Sequence, residues 1–549
     1  MLLQLCTLCK QAVERPMINI RRHLVKYSKA SADYFSDDEY EDYLKEDVSK
    51  ETEGFIPKPK RPCIIKCRRS KFDFYQGDTF PKFEAIPLVS RGWQHRLSKG
   101  DYFTIYPTES SPQEELVSSL TFEDIKLNPK ILESLEDMGI KHPTPIQKLG
   151  IPSIMDRKNV ILTAETGCGK TLAFLLPVLQ QILQWKSLKH RGVNKPVALI
   201  LTPSTELTTQ ISNVAKKLTK GLDINIVTHT GGKTRKIIYN PPITEVDLVI
   251  STVGVMNTLV GNCIYNLDEV RHVVLDEADT LFDITFKKAL CNLLRKIKIG
   301  NSMDVEVYPS AAQLTLNSAT IPEKVEETLQ EIVDTSSLLR ISTGYEHSIR
   351  VPQRFMRVIG PDKPAELLKF VKPKVKSKIP IIIFSNTAAT CDYTNIFLKK
   401  FNINSVNLHG KMSLDYRRKK YFDFKNGICN VLTTTDAGAR GLDTIYAKDV
   451  INYDFPLVSA EYIHRCGRIG RIGSPKDCRV INFIQRPLEV VMTCKIEFAI
   501  RKGKPIPMID LIHSNEDVEG EFIRPDLTEQ MSDPTEKDDD SFAKSGDED

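Results

Sequence analysis

The chain has 549 residues, enough for about three domains, or for two with long appendages. It is 41% hydrophobic and 27% charged. That balance is ordinary for a globular protein and excludes a mostly disordered, collagenous or cysteine-scaffold chain. No apolar run approaches the roughly 18 residues of a spanning helix, so no membrane partner is expected. The net charge of +5 hides an asymmetry: residues 516–549 hold 14 acids and three bases, a charge of −11, and the rest of the chain carries +16. A basic body with an acidic tail suits a polyanionic partner.

The chain begins with a basic segment. Its first 30 residues contain Lys10, Arg15, Arg21, Arg22, Lys26 and Lys29 against one acid, Glu14. An acid-poor, partly amphipathic, Arg-containing start describes a mitochondrial presequence, so residues 1–34 are expected to be a targeting segment. A basic arm of a nuclear or nucleolar protein is the alternative. Residues 35–118 are expected to form an extension of low order. It carries nine acids from Asp37 to Glu53 and seven bases without an acid from Lys58 to Lys71. The twelve cysteines, including Cys6, Cys9, Cys63 and Cys67, lack the spacing of a zinc finger and read as reduced thiols.

From about 119 to 512, short Val/Ile/Leu runs alternate with longer amphipathic stretches. Asn159–Leu162, Val197–Leu201, Val246–Ile250, Val270–Leu275, Ile379–Phe384, Val431–Leu432 and Asp449–Asn452 are the apolar runs. Apolar strands alternating with helices predict parallel sheets, hence an α/β fold. The length predicts two such domains, 119–345 and 346–512, with an acidic disordered tail at 513–549.

The run Asn159–Leu162 leads into Ala164, Glu165, Thr166, Gly167, Cys168, Gly169, Lys170 and Thr171, then a helical pattern. This is a phosphate loop with alanine at its first glycine position. Its glycines let backbone amides face phosphates, Lys170 can reach the β/γ-phosphates, and Thr171 can hold Mg²⁺. About a hundred residues later, an apolar strand ends in Asp276-Glu277-Ala278-Asp279. A carboxylate there lies where nucleotides bind in parallel sheets. Asp276 is expected on Mg²⁺, and Glu277 is expected to position or deprotonate the attacking water.

These segments resemble the DEAD-box RNA helicase family over roughly 120–510. Gly139 to Gln147 is similar to the family's adenine-reading segment, and Phe122, seventeen residues before Gly139, to its stacking aromatic. Ser318-Ala319-Thr320 is similar to the motif that couples hydrolysis to unwinding, and Phe384-Ser385-Asn386-Thr387 to the fourth motif. Thr435-Asp436 through Asp443 resembles the fifth, and His464 through Arg471 the sixth. The resemblance implies two tandem RecA-like domains that use ATP and Mg²⁺ and hold RNA by its sugar–phosphate backbone. It places Asp443 on the ribose, Thr435 and Asp436 at the RNA surface, and His464 as the tie between the domains. Arg468 and Arg471 become the residues that neutralise charge on the γ-phosphate. Pro203, Gly231, Gly232, Thr252, Gly254, His409, Gly410 and Arg417 fall on the family's RNA contacts.

The departures lie on the RNA side. Thr205 and Val255 stand where the family carries arginines. Two fewer phosphate contacts should weaken RNA binding and flatten its salt dependence by roughly 1–2 slope units. The expected activity is therefore ATP-dependent RNA remodelling. An ATP-switched RNA clamp with weak unwinding is the competing reading, and a specific DNA partner is not expected. Among family members the chain looks most like the mitochondrial ones that assist assembly of the large ribosomal subunit. That implies rRNA and ribosome-assembly proteins as partners. The acidic tail is expected to compete with RNA for the basic cleft; unchanged RNA affinity at low salt on deleting 516–549 would count against this.

Overall fold

A computed structural model describes residues 61–81, 84–107, 121–165, 167–188, 192–232, 234–300, 309–320, 323–330, 332–333, 335–343, 350–471, 473–475 and 477–511. The expected targeting segment, the acidic tail and Thr166 lie outside them.

The strands run in chain order. β1 (Cys63–Cys67), β2 (Phe74–Tyr75) and β3 (Tyr102–Ile105) come first. Then follow β4 (Val160–Thr163), β5 (Ala198–Thr202), β6 (Ile226–His229), β7 (Leu248–Thr252), β8 (His272–Asp276), β9 (Gln313–Ser318) and β10 (Leu339–Ser342). The last group is β11 (Gln353–Arg357), β12 (Ile381–Phe384), β13 (Ser405–Leu408), β14 (Val431–Thr434), β15 (Asp449–Asn452) and β16 (Arg479–Ile484).

Strands β4 to β10 make one sheet, in the order β10-β4-β9-β8-β5-β7-β6, with every pairing parallel. Helices cover both faces, so the central strands are buried throughout; β4 and β5 are largely apolar, while β9 alternates polar and apolar residues. Successive residues serve opposite cores: Leu162 and Ile200 pack on one face, Ile161 and Leu199 on the other. The second sheet contains six parallel strands, β13-β14-β12-β15-β16-β11. Its strand β12 alternates likewise, with Ile382 and Phe384 on one face and Ile381 and Ile383 on the other.

The second sheet does not stop at β11. Strand β3 pairs antiparallel with β11, β1 with β3, and β2 with β1, giving nine strands. The expectation of low order from 35 to 118 therefore fails over the described part of 61–107. Ile65, Trp93 and Phe103 are completely buried, and the Phe103 ring stacks on Phe355 with centroids 4.9 Å apart. Each such side chain contributes about 1.5–3 kcal/mol on burial. A buried polar clasp adds direction. Glu497, on the helix Pro487–Arg501, accepts the Val89 and Ser90 amides at 3.0 Å each and pairs with Arg501 at 2.9 Å. The basic composition of 58–71 masked the alternation that makes β1 a strand, with Ile65 and Cys67 inward and Lys66 outward.

Candidate active site

The loops that leave the C-terminal ends of β4, β8 and β9 converge, as open parallel sheets favour. After β4 the chain turns through Ala164, Glu165, Gly167, Cys168 and Gly169 into the helix Lys170–Lys186. The first amides of that 17-residue helix have no intrahelical acceptor and face the loop, a ready anion site. Gly167 sits at φ +83°, which L side chains rarely adopt, and a Cβ there would collide with the Arg471 side chain. Lys170 turns its ammonium onto the loop, donating to the Ala164 carbonyl and to the Glu165 carbonyl at 3.1 Å. Glu165 also pairs with Arg350 at 2.8 Å. Burial pushes the Cys168 thiol up.

Gln147 lies against this loop. Its Oε1 accepts the Thr144 amide at 3.0 Å, and its Nε2 donates to the Gly169 carbonyl at 2.9 Å. It thereby caps the helix Pro145–Met155 and ties that helix to the phosphate loop. Phe122 is 5% exposed and packs in the first domain's core with Ile125 and Ile131. Phe122 thus packs with the first domain's core, and each polar end of Gln147 makes one bond within the protein. The amide keeps a second N–H and a second oxygen lone pair, the capacity an adenine edge would need.

At the end of β8, Asp276 is buried, and burial, reinforced by the Glu277 charge, pushes its carboxyl up to about 7. It accepts hydrogen bonds from the Glu277 amide at 3.0 Å and from the Asn317 side chain on β9. Sequence reasoning passed over Asn317. Asn317 is one of several polar residues in β9, with Gln313, Thr315 and Ser318, so only its place before Ser318 set it apart. Glu277 takes a left-handed backbone, φ 52°. Its Oε2 is buried without a hydrogen-bond partner among the described residues. A buried, unsatisfied carboxylate oxygen costs about 1–3 kcal/mol or more, which fits a site built to receive a water. Asp276 and Thr171 border the same space, and their oxygens suit a hard divalent cation.

The next carboxylate, Asp279, joins the two domains. His464 Nε2 lies 2.9 Å from Asp279 Oδ2, and Thr320 Oγ1 donates to the same oxygen at 2.8 Å. The Asp279 amide donates to Ser318 Oγ at 3.3 Å. Burial opposes the Asp279 charge, but the His464 imidazole and these hydrogen bonds overcome it and hold the carboxyl well below its usual range. For His464 burial works downward and Asp279 more than offsets it, so its pKa is raised. Ala319 is buried between the two hydroxyl residues.

The helix Ser459–Cys466 and the turn after it deliver the arginines. Arg468 reaches to 3.8 Å from Glu277 Oε1. Arg471 donates from Nε to the Gly467 carbonyl at 2.7 Å, with its stem over Gly167. Burial and then the Arg468 charge lower the Arg471 pKa to about 10. A cavity of about 300 Å³ remains between the domains, lined among others by Lys170, Thr171, Asp276, Glu277, Asp443 and Arg468. That is within the range of small-molecule sites. Gly441 lets the second domain approach the first: a Cβ there would lie 2.6 Å from Ser204 Oγ, and Gln210 donates to its carbonyl.

The RNA-side residues are arranged differently. On the first domain, Pro203 precedes the helix Thr205–Leu218, which Ser204 caps by accepting the Leu207 amide at 3.2 Å. Thr252 precedes the helix Val253–Gly261, and Gly254 faces open space. Gly231 and Gly232 face Leu414 of the second domain. On the second domain three residues expected at the RNA surface pair within the protein. Arg417 pairs with Glu206 across the cleft. Asp436 takes a two-pronged bond from Arg465, at 2.7 and 2.6 Å. His409 lies 3.0 Å from Asp392 and is 6% exposed. Thr435 caps its short helix by accepting the Gly438 amide at 3.3 Å, next to Gly410 and Ala437. Arg465, which the sequence left as one basic residue among several, is 1% exposed and also bonds Asn386 and the Asp454 carbonyl.

Known proteins share this arrangement. The DEAD/DEAH box helicase family matches residues 144–328, and the helicase conserved C-terminal domain matches 362–473. A Mus musculus protein named probable ATP-dependent RNA helicase DDX28 is 33% identical over 463 residues, 81% of this chain and 85% of that one. The Homo sapiens protein of that name is 32% identical over the same length. Among solved structures, Mss116p bound to single-stranded RNA and AMP-PNP superposes with a TM-score of 0.60 at 25% identity, covering 74% of this chain and 81% of that one. S. cerevisiae Dbp5 bound to RNA and ADP BeF3 gives 0.58 at 24%, covering 71% and 95%. The fold is a pair of RecA-like domains, and the chain belongs to the DEAD-box family of ATP-dependent RNA helicases.

Proposed function

We propose that the protein holds RNA by its sugar–phosphate backbone across both domains, pries open short duplexes or remodels ribonucleoprotein, and lets go when ATP is hydrolysed. The observation that carries this reading is the junction of Asp279, Thr320 and His464, with Arg468 beside Glu277. Both domains contribute to one nucleotide cavity, so the site is complete only when the cleft is closed. Ligands that bridge the cleft then favour closure together, which couples their binding.

In the proposed cycle Glu277 orients a water against the γ-phosphate and accepts its proton. Lys170 and the amides of the Lys170 helix hold the transferred phosphate oxygens. Arg468 and Arg471 neutralise charge that develops on them. Asp276 and Thr171 would hold Mg²⁺, which would supply positive charge beside the phosphates. Hydrolysis removes the group the arginines face, and the interdomain grip relaxes.

The basic, acid-poor start supports a mitochondrial site of action, with rRNA and ribosome-assembly proteins as partners. Fractionation of cells expressing the full chain and a chain lacking residues 1–34 tests that address. The central test is steady-state ATP hydrolysis with and without RNA, beside Glu277→Gln. RNA stimulation that the substitution abolishes supports the helicase cycle. Thr205, Val255 and the Arg417–Glu206 pair favour a second reading, an ATP-switched RNA clamp. ATP-dependent RNA binding with negligible turnover in the unsubstituted protein would select it.

A further inference from the structure

The strands added by residues 61–107 have two different faces. Ile65, Cys67 and Phe103 point into the second domain's core with Phe355. On the opposite face the register sets Lys66 beside Thr104 and Thr104 beside Arg354. One row along, the Arg68 amide donates to the Tyr102 carbonyl at 3.0 Å, and at the other end the Tyr106 amide donates to Ile64 at 2.9 Å. Lys66 and Arg68 are exposed, as is Tyr106 at 37%. The half-buried Arg354 lays its guanidinium 3.8 Å from the Tyr102 ring centroid, and its Nε is buried without a hydrogen-bond partner among the described residues.

Acids nearby are committed elsewhere. Asp101 serves Arg69 and the Trp93 indole, Asp73 accepts the Cys67 amide, and Asp78 pairs with Arg61. Arg68 spends one nitrogen on the Gly100 carbonyl. The charge left over on this face is positive, in a row of cations interleaved with tyrosines on a rigid sheet.

We propose that this face is a second RNA-binding surface, taking single-stranded phosphates on Lys66, Arg68 and Arg354 and stacking a base on Tyr106. The inference rests on RNA being the protein's substrate. Basic sheet faces with exposed aromatics bind single strands in this way, with little sequence preference. The face lies six strand spacings from β14, about 30 Å across the sheet. RNA bound there is the strand flanking the clamp. Tethering the flank raises the local concentration of RNA at the cleft, which offsets the phosphate contacts absent at Thr205 and Val255.

The test uses the full chain and single-stranded RNAs of about 10 and about 30 nucleotides, the shorter within the site sizes of single-strand binding folds. Affinity is measured against salt for the unsubstituted protein and for Lys66→Gln/Arg68→Gln. The longer RNA is expected to bind tighter with a steeper salt slope. The double substitution should remove about 1.4 units of that slope, about twenty-five-fold in affinity at roughly 0.1 M salt, on the longer RNA alone. Tyr106→Ala, on the exposed end of the strand, should weaken the longer RNA without changing the slope. Photocrosslinking of the longer RNA to the unsubstituted protein should label the peptide bearing Tyr106. Equal affinities for both lengths, or equal losses on both, overturn the proposal while RNA-stimulated hydrolysis with the short RNA keeps the helicase reading standing. No RNA binding at either length overturns both.

Discussion

The two sides of the cleft solve different problems. On the nucleotide side, charged groups meet across the domains at set distances: His464 on Asp279 at 2.9 Å, Arg468 near Glu277 at 3.8 Å. Glu277 Oε2 is buried without a hydrogen-bond partner among the described residues, a place for a ligand or water. On the RNA side, Arg417, Asp436 and His409 pair with Glu206, Arg465 and Asp392. His409 Nδ1 and Arg417 Nε are buried without a hydrogen-bond partner among the described residues, and the first domain offers Thr205 and Val255 in place of arginines. Phosphate transfer needs fixed charges at fixed places, because electrostatic stabilisation works only when the groups are already oriented. Backbone recognition is a sum of exchangeable contacts, so single losses tune it without abolishing it.

That contrast predicts the largest effect at the arginines. Arg468→Ala should lower RNA-stimulated ATP turnover by about 10³–10⁵-fold with modest change in RNA affinity, as steady-state kinetics and binding titrations would read. Glu277→Gln should lower turnover by about 10²–10⁴-fold and leave ATP-dependent RNA binding in place. A comparable loss of binding would dissolve the distinction between the two sides.

At the junction, His464→Ala should weaken the coupling between ATP and RNA binding by roughly tenfold. This is measured as the ratio of RNA affinities with and without a non-hydrolysable ATP analogue. The pair also predicts a pH trend. The His464 pKa is raised above its ordinary 6.5 in the closed form, so its contribution is complete below 6.5 and is lost as pH rises through the raised value. Asp279, held low, stays charged across that range. Closure measured by interdomain fluorescence transfer should therefore weaken on going from pH 6 to pH 9, as a rough range around those values, and His464→Gln should flatten the trend.

The smallest effect belongs to the RNA side. Thr205→Arg should steepen the salt slope by about 0.7 and raise RNA affinity about fivefold at 0.1 M salt, with ATP turnover at saturating RNA unchanged. Glu206→Gln, which frees Arg417, should act in the same direction. A change of a hundredfold in either would mean that RNA recognition here rests on a few fixed contacts after all.

Much of the nucleotide site was legible because its parts are local. A strand, a glycine turn and a helix N-terminus are consecutive in Val160–Lys186, and Asp276-Glu277 closes one strand. The RNA side was less legible because residue type there does not reveal the partner. Arg417 and Asp436 read as residues of the RNA surface, and the sequence does not show that Glu206 stands beside the one and Arg465 beside the other. Phe122 reads as the stacking aromatic, and the sequence does not show that it also packs with Ile125 and Ile131.

The sequence by itself determined two parallel α/β domains, the phosphate loop, the carboxylates and the arginines, because periodicity and short motifs record local geometry. Only the tertiary structure decided that residues 61–107 belong to the second sheet. A strand's hydrogen-bonding partner is set by approach in space, and β3 finds β11 some 250 residues away along the chain. The same reason holds for Glu497 beneath Ser90 and for His464 on Asp279: buried polar groups must be satisfied, and which neighbours satisfy them follows from how the sheets and helices pack.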